Sequence, residues 1–380
     1  MKHIYLDHAA TTPMDPLVVE AMYPIFEKVF GNPSSVHSFG RKARQHLDEA
    51  RRVMAGSIHA NEKEIIFTSG GTEADNLALI GTAMANKHKG NHIIITEQEH
   101  HATLHTAQYL EHEGFELTYL PVYEDGKISI QDLQNALTDN TILVSVMFVN
   151  NETGIIQPIE EVGLVLKDHQ AYFHTDAVQA FGLLDIQVRD LNIDLLTVSS
   201  HKINGPKGMG FLFADENVKL NALQYGGEQE RKRRAGTENV PGVVGFQKAV
   251  ELAIQYKDKR NNEYQGYKQL FLDVLKHEGI VFEINGNLEE TVPAIVNISF
   301  PGTNVETLLT NFDLDGIAAS SGSACTAGSV EPSHVLTAMF GENNTCTTNS
   351  IRFSFGLYNT TENVEEAAER VTKIIKRLTS

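Results

Sequence analysis

Two cysteines in 380 residues, Cys325 and Cys346, are too few for a disulfide framework, so either one matters as a thiol if it matters at all. Positive charge is also short: 31 Lys and Arg against 49 Asp and Glu leave a formal net charge of −18. That balance repels polyanions and argues against direct nucleic-acid binding. No run approaches the roughly 20 apolar residues of a membrane span, and "MKHIYLDHAATTP" lacks the apolar centre of a signal peptide. A cytoplasmic protein without membrane contact is the expectation. Internal repeats and low-complexity tracts are missing too, which sets aside solenoids and disordered linkers.

What is present is a globular composition, 41% hydrophobic, in a chain longer than one core usually supports. Between residues 60 and 215 short apolar runs recur: "EIIFTS", "HIIITE", "ELTYLPV", "TILVSVMFVN", "AYFHTDA", "LLTVSSH" and "GMGFLFA". Several are too uniformly apolar for a sheet with one wet face, and helical patterns such as "TEADNLALIGTAMANK" fall between them. This predicts an α/β fold with a mainly parallel sheet covered by helices. Past residue 255 a long charged helical stretch leads into further strands, "AIVNISF" and "SIRFSFG". Residues 14–255 are expected to form a large domain, and residues 1–13 with 256–380 a smaller α+β domain. The last helix carries Val364, Ala368, Val371, Ile375 and Leu378 at amphipathic spacing.

Four strands end in polar sets: "FTSGGTEADN", "ITEQEHHAT", "FHTDAVQ" and "VSSHKING". In parallel sheets ligands bind at such carboxyl ends. Gly70 and Gly71 free backbone N–H groups where Thr72 opens a helix, a cradle for a single phosphate. Asp176 precedes Gln179 by three residues, and Lys202 sits between an apolar strand and a Gly-Pro turn, where a partly desolvated amine is a good Schiff-base nucleophile. Alone, these are a capping turn, an N-cap and a loop lysine. Together they are the parts that pyridoxal phosphate requires.

The motifs "YLDHAATTP", "GNPSSVH", "TSGGTEADN", "EHHA", "VNNETGIIQP", "HTDAVQ", "SSHKINGPKG", "RRAGTENV", "SSGSACTAGSVEPSHVL" and "IRFSFG" run nearly end to end. In them the sequence resembles the cysteine desulfurases of the NifS/IscS family, within the class V aminotransferase-like, fold-type I pyridoxal-phosphate enzymes. The resemblance implies a seven-stranded large-domain sheet, a homodimer, and conversion of L-cysteine to L-alanine with a persulfide left on Cys325. It implies that Lys202 binds the cofactor aldehyde, Asp176 the pyridine nitrogen and Gln179 the phenolic oxygen, while His100 stacks on the ring and assists proton transfer. Gly71, Thr72, Ser199 and His201 would hold the phosphate, with Thr237 reaching across from the other subunit. Asn151 and Arg352 would hold the substrate α-carboxylate. The segment after Cys325, "TAGSVEPSHVL", resembles the longer-loop group.

The implied sulfur acceptor is a protein, such as a tRNA 2-thiouridine ligase or an iron–sulfur scaffold. Family members dedicated to scaffolds carry an added C-terminal tail, so ending at Ser380 favours the thiolation enzyme. His101 and His105 lie one helical turn apart, yet with no third ligand evident beside them no metal site is expected. "QERKRRAGTE" reads as a loop near the dimer interface, with Arg231, Arg233 and Arg234 positioned to pair with acids. Two other classes remain open: an aminotransferase or lyase would need Lys202 without Cys325, and a sulfur carrier would need Cys325 without the cofactor.

Overall fold

Short strands buried along their whole length need helices on both faces, and the chain supplies them by alternation. The computed structural model describes residues 3–321 and 332–379. A short strand β1 (Ile4–Tyr5) and helices α1 (Pro16–Lys28) and α2 (Ser38–Ser57) come first. Then β2 (Ile65–Thr68), α3 (Gly71–Asn86), β3 (His92–Thr96), α4 (His101–His112) and β4 (Glu116–Leu120) follow, and α5 (Ile130–Ala136), β5 (Thr141–Ser145), α6 (Ile159–Leu166), β6 (Tyr172–Asp176), β7 (Leu195–Ser199) and β8 (Gly210–Ala214) complete this part.

The seven apolar runs named above are the seven strands of one sheet, in the order β2-β8-β7-β6-β5-β3-β4. Strands β3 to β7 pair in parallel, and β8 alone runs antiparallel to its neighbours β7 and β2. Every residue of β2, β3, β5, β7 and β8 is buried, whereas edge strand β4 exposes Glu116.

Helix α7 (Val240–His277) then runs unbroken for 38 residues, about 57 Å at the α-helical rise. The expected boundary between residues 255 and 256 falls inside it. Phe246 packs on Phe211 of the large sheet, and Phe271, seven turns on, packs on Phe353 of a second sheet. That sheet is built from β9 (Glu283–Ile284), β10 (Ile295–Ser299) and a strand near the C-terminus, with α8 (Val305–Leu314), β11 (Ile317–Ala318), α9 (His334–Phe340) and α10 (Cys346–Asn349) between. The strand β12 (Ser350–Ser354) pairs antiparallel with β10, and α11 (Thr361–Thr379) closes the chain. Val364, Ala368, Val371 and Ile375 of α11 are buried, as their spacing predicts. Strand β1 pairs in parallel with β11, so the N-terminus joins the C-terminal part. Among the described residues no helix is long and apolar enough to cross a membrane.

In one loop three successive residues leave ordinary backbone geometry. Glu230, Arg231 and Lys232 have φ of 45°, 55° and 67°, left-handed conformations costing about 1–2 kcal/mol each for side-chain-bearing residues. Their anchor is a buried bidentate pair: Arg51 Nη1 and Nη2 donate to the Glu230 carboxylate at 2.7 and 2.6 Å, and the Phe67 amide donates to it at 3.0 Å. Further along, Arg234 donates to Glu73 in the first turn of α3 at 2.7 Å, while Arg231 and Arg233 reach the carbonyls of Glu62 and Lys63. Removing one member of a buried pair leaves the other charge stranded. Glu230→Ala should therefore lower unfolding stability by about 3–5 kcal/mol in denaturant titrations. A loss under 1 kcal/mol would show that the pair does not anchor the loop.

Candidate active site

Because β6 and β7 are parallel neighbours, their last residues emerge on one edge of the sheet. Asp176 ends β6 and Ser199 ends β7; a single turn, Ser200–Lys202, then brings His201 and Lys202 over the same edge. From β2 the chain reaches Gly70 and Gly71 and enters α3, whose N-terminal amides point to this edge. A Cβ on Gly71 would come within 3.1 Å of Val178, so the cradle tolerates little there. From β3 it reaches His100, the N-cap of α4.

These ends enclose a cleft of about 300 Å³. Ten residues expected from the sequence line it: Gly71, Thr72, His100, Asn151, Asp176, Gln179, Ser199, His201, Lys202 and Arg352. Thr237 does not line it and is exposed on the chain's surface. Cys325 lies outside the described residues. Cys346 is buried, and burial pushes its thiol up to about 11, which makes it inert.

Lys202 Nζ donates to the carbonyls of Ala9 and Ala10, the latter at 2.8 Å, and Gln179 Nε2 donates to Ala9 O at 2.9 Å. The "DHAATT" segment is itself laced to the lysine turn: Thr12 donates from Oγ1 to His201 O at 2.7 Å, and Thr11 Oγ1 meets His201 Nδ1 at 3.1 Å. Across the cleft Arg352 is buried, with Nη1 on Asn151 O at 2.8 Å and Nη2 on Asp7 Oδ1 at 2.9 Å. Its Nε has no hydrogen-bond partner among the described residues.

The electrostatics favour neutral side chains. Burial lowers His100 to about 4, helped by the Lys202 charge, and does the same to His201. The His100 Nδ1 accepts the Ala102 amide at 3.1 Å, which leaves the ring proton on Nε2. Burial raises Asp176 to about 6 against the opposing pull of the Val178 amide and Lys202. Two further acids escaped the sequence reading. Asp75, one helical turn beyond Thr72 on α3, lines the cleft floor, and its side chain, with those of His100 and Asp176, lies within a 4.8 Å cluster. Burial, then Asp176, pushes its carboxyl well above the usual range. Glu99 is fully buried, accepts from Thr96 Oγ1 and the Met147 amide at 2.8 Å each, and is raised by burial to about 8. The spacing Thr72–Asp75 was the available signal for the first; nothing in "EQEHH" distinguished the second.

Pyridoxal phosphate fits these residues on their own evidence. Ser199 Oγ is buried with no hydrogen-bond partner among the described residues, at the mouth of an α-helix N-terminus that favours an anion. Asp176 is a buried carboxylate that a pyridinium N–H would stabilise in its charged form. Lys202 brings a primary amine to the same cleft.

Comparison with known proteins adds a separate line. A family model for "Aminotransferase class-V" matches residues 4–366. The Bacillus subtilis (strain 168) protein bearing the name IscS 1 is 60% identical over 379 residues, covering 100% of both chains. A Clostridium botulinum cysteine desulfurase IscS is 48% identical over 378 residues, covering 99% of this chain and 95% of that one. A solved NifS-like protein superposes with a TM-score of 0.92 at 33% identity, covering 99% of this chain and 100% of that one.

Folded, Glu99 keeps its proton up to about pH 8, whereas unfolded it releases it near 4.5. The folded state binds the extra proton between those limits, so this group's effect on stability worsens as pH rises from 4.5 to 8. Glu99→Gln keeps the accepting oxygen without the titration. In thermal melts of cofactor-free protein it should match wild type near the lower limit and melt higher at the upper one; equal melting at both would contradict the assignment.

Proposed function

The chain belongs to the class-V aminotransferase family, as a pyridoxal-phosphate-dependent cysteine desulfurase of the NifS/IscS type, and from that premise we propose how its residues divide the work. The observation that carries the reading is that Asp176, ending β6, and Lys202, in the turn after the adjacent parallel strand β7, line one cleft with an anion cradle. When bound, the cofactor supplies an electron sink that acidifies the α-carbon of an attached amino acid. Gly71, Thr72, Ser199 and His201 would hold its phosphate, Asp176 its pyridine nitrogen and Gln179 its phenolic oxygen. Lys202 would hold its aldehyde through the side-chain amine.

Arg352 and Asn151 receive the substrate α-carboxylate. The Arg352 fork is already straightened by Asp7, and its unpartnered Nε offers a further donor. His100 stands in the cleft as a neutral imidazole, suited to passing a proton at its Nε2. The Cys325 thiolate attacks the substrate sulfur: an S–S bond forms as the Cβ–S bond breaks, and the electron pair of that bond stays with carbon, which is protonated to the methyl of alanine. The persulfide passes to a protein acceptor, a tRNA 2-thiouridine ligase or an iron–sulfur scaffold.

A homodimer completes the proposal. Tyr23 and Phe26 of α1, Phe30 and Val36 in the loop after it and Phe39 of α2 form an exposed apolar face, with Phe30 at 75% and Val36 at 88% accessible, more than isolated surface residues account for. Thr237, exposed and outside this chain's own cleft, would serve a second copy. Sedimentation should give the mass of two chains, and Phe26→Glu with Phe30→Glu should shift it toward one; a wild-type monomer that retains full activity would overturn the dimer.

With L-[³⁵S]cysteine, wild type should be yellow, form alanine, carry label on the enzyme and pass it to one of the two acceptors. Lys202→Ala should be colourless in the aldehyde-linked band and inert. Cys325→Ser should stay yellow without label or accelerated alanine formation. Alanine at the wild-type rate from Cys325→Ser would replace the persulfide route with a lyase, and label that leaves only as sulfide would remove the acceptor.

A further inference from the structure

The histidine pair that the sequence left without a third partner acquires one in the fold. His101 and His105 stand one turn apart on α4 with ring centres 5.0 Å apart, and His334, the first residue of α9, places its ring centre 4.8 Å from that of His101. Imidazoles sharing one tetrahedral ion have ring centres about 5 Å apart, given the short metal–nitrogen bond. His334 Nε2 donates to the Glu99 carbonyl at 3.0 Å, which leaves the lone pair on Nδ1. A carbonyl in this position is what orients a metal-bound histidine and sets its tautomer. The His101 Nδ1 is buried with no hydrogen-bond partner among the described residues.

The His101 and His105 rings stack rather than fan out, so sharing one ion requires the exposed His105 ring to turn about its side-chain bonds. None of the three lines the cleft, although His100 beside them does. We propose that His101, His105 and His334 form a site for one divalent transition-metal ion that accepts tetrahedral imidazole ligands, zinc or cobalt, tying α4 to α9. The fourth position is left to water.

The test is titration of the holoenzyme with cobalt chloride, followed by calorimetry and visible absorption. Wild type should bind one ion per chain with the bands of tetrahedral cobalt and no thiolate-to-metal charge transfer. His101→Asn, His105→Asn and His334→Asn should each weaken binding by ~10-fold or more, while His112→Asn, exposed on the same helix, should leave it unchanged. His105→Asn decides the matter because its exposed side chain is not needed for folding; unchanged binding in it overturns the site. Thiolate charge transfer in the wild-type spectrum would also overturn it by placing the ion on cysteine.

Discussion

The arrangement depends on a strap of backbone, residues 7–15, laid between the two sheets. Its carbonyls at Ala9 and Ala10 receive the Lys202 ammonium, its Thr12 hydroxyl both donates to His201 O and accepts the Asn204 amide, and its Asp7 carboxylate straightens Arg352. On the far side the Ala9 amide donates to Ser354 Oγ at 2.8 Å. One segment, turned at His8–Ala10, therefore sets the position of the amine on the large sheet and of the guanidinium on the small one. Moving either cationic group means first disturbing the strap, so the spacing between them is a property of backbone hydrogen bonds more than of side-chain packing.

Beneath that strap, burial favours the neutral forms of the cleft's carboxyls and imidazoles. Three carboxyls, Asp75, Glu99 and Asp176, sit in a floor that desolvates them, and two imidazoles stay neutral for the same reason. Like charges this close cannot all ionise, so the site shares few net charges among many titratable groups. A cationic ring placed against Asp176 changes that balance more than any single protein residue does.

Much of this was legible in sequence order. Parallel strands announce themselves by uniform apolar runs, and a polar residue closing such a run must lie at one edge of the sheet; that located Asp176, Ser199, Lys202 and the Gly70–Gly71 cradle. What escaped has a physical cause in each case. The Ala9 and Ala10 carbonyls carry no side-chain signature. Glu230 and Arg51 meet across 179 residues, and no local pattern encodes such a pairing. Strands β1 and β11 are two residues each, too short for alternation to show, and their pairing depends on the fold already being in place. His334 lacks any tie to "HHATLH" until α9 is set down on α4. The change of composition near residue 255 was real, but a helix can change its neighbours without ending.

That continuity of α7 has a consequence for how such a chain is inherited and handled. Each half of the helix covers a different sheet, Phe246 on one and Phe271 on the other. A gene cut at the change in composition would hand each fragment an uncovered sheet and a frayed helix end. The two parts are thus not exchangeable modules: recombination, circular permutation or separate expression has to respect a joint that is itself a rigid element, and the unit that can be passed on intact is the whole chain.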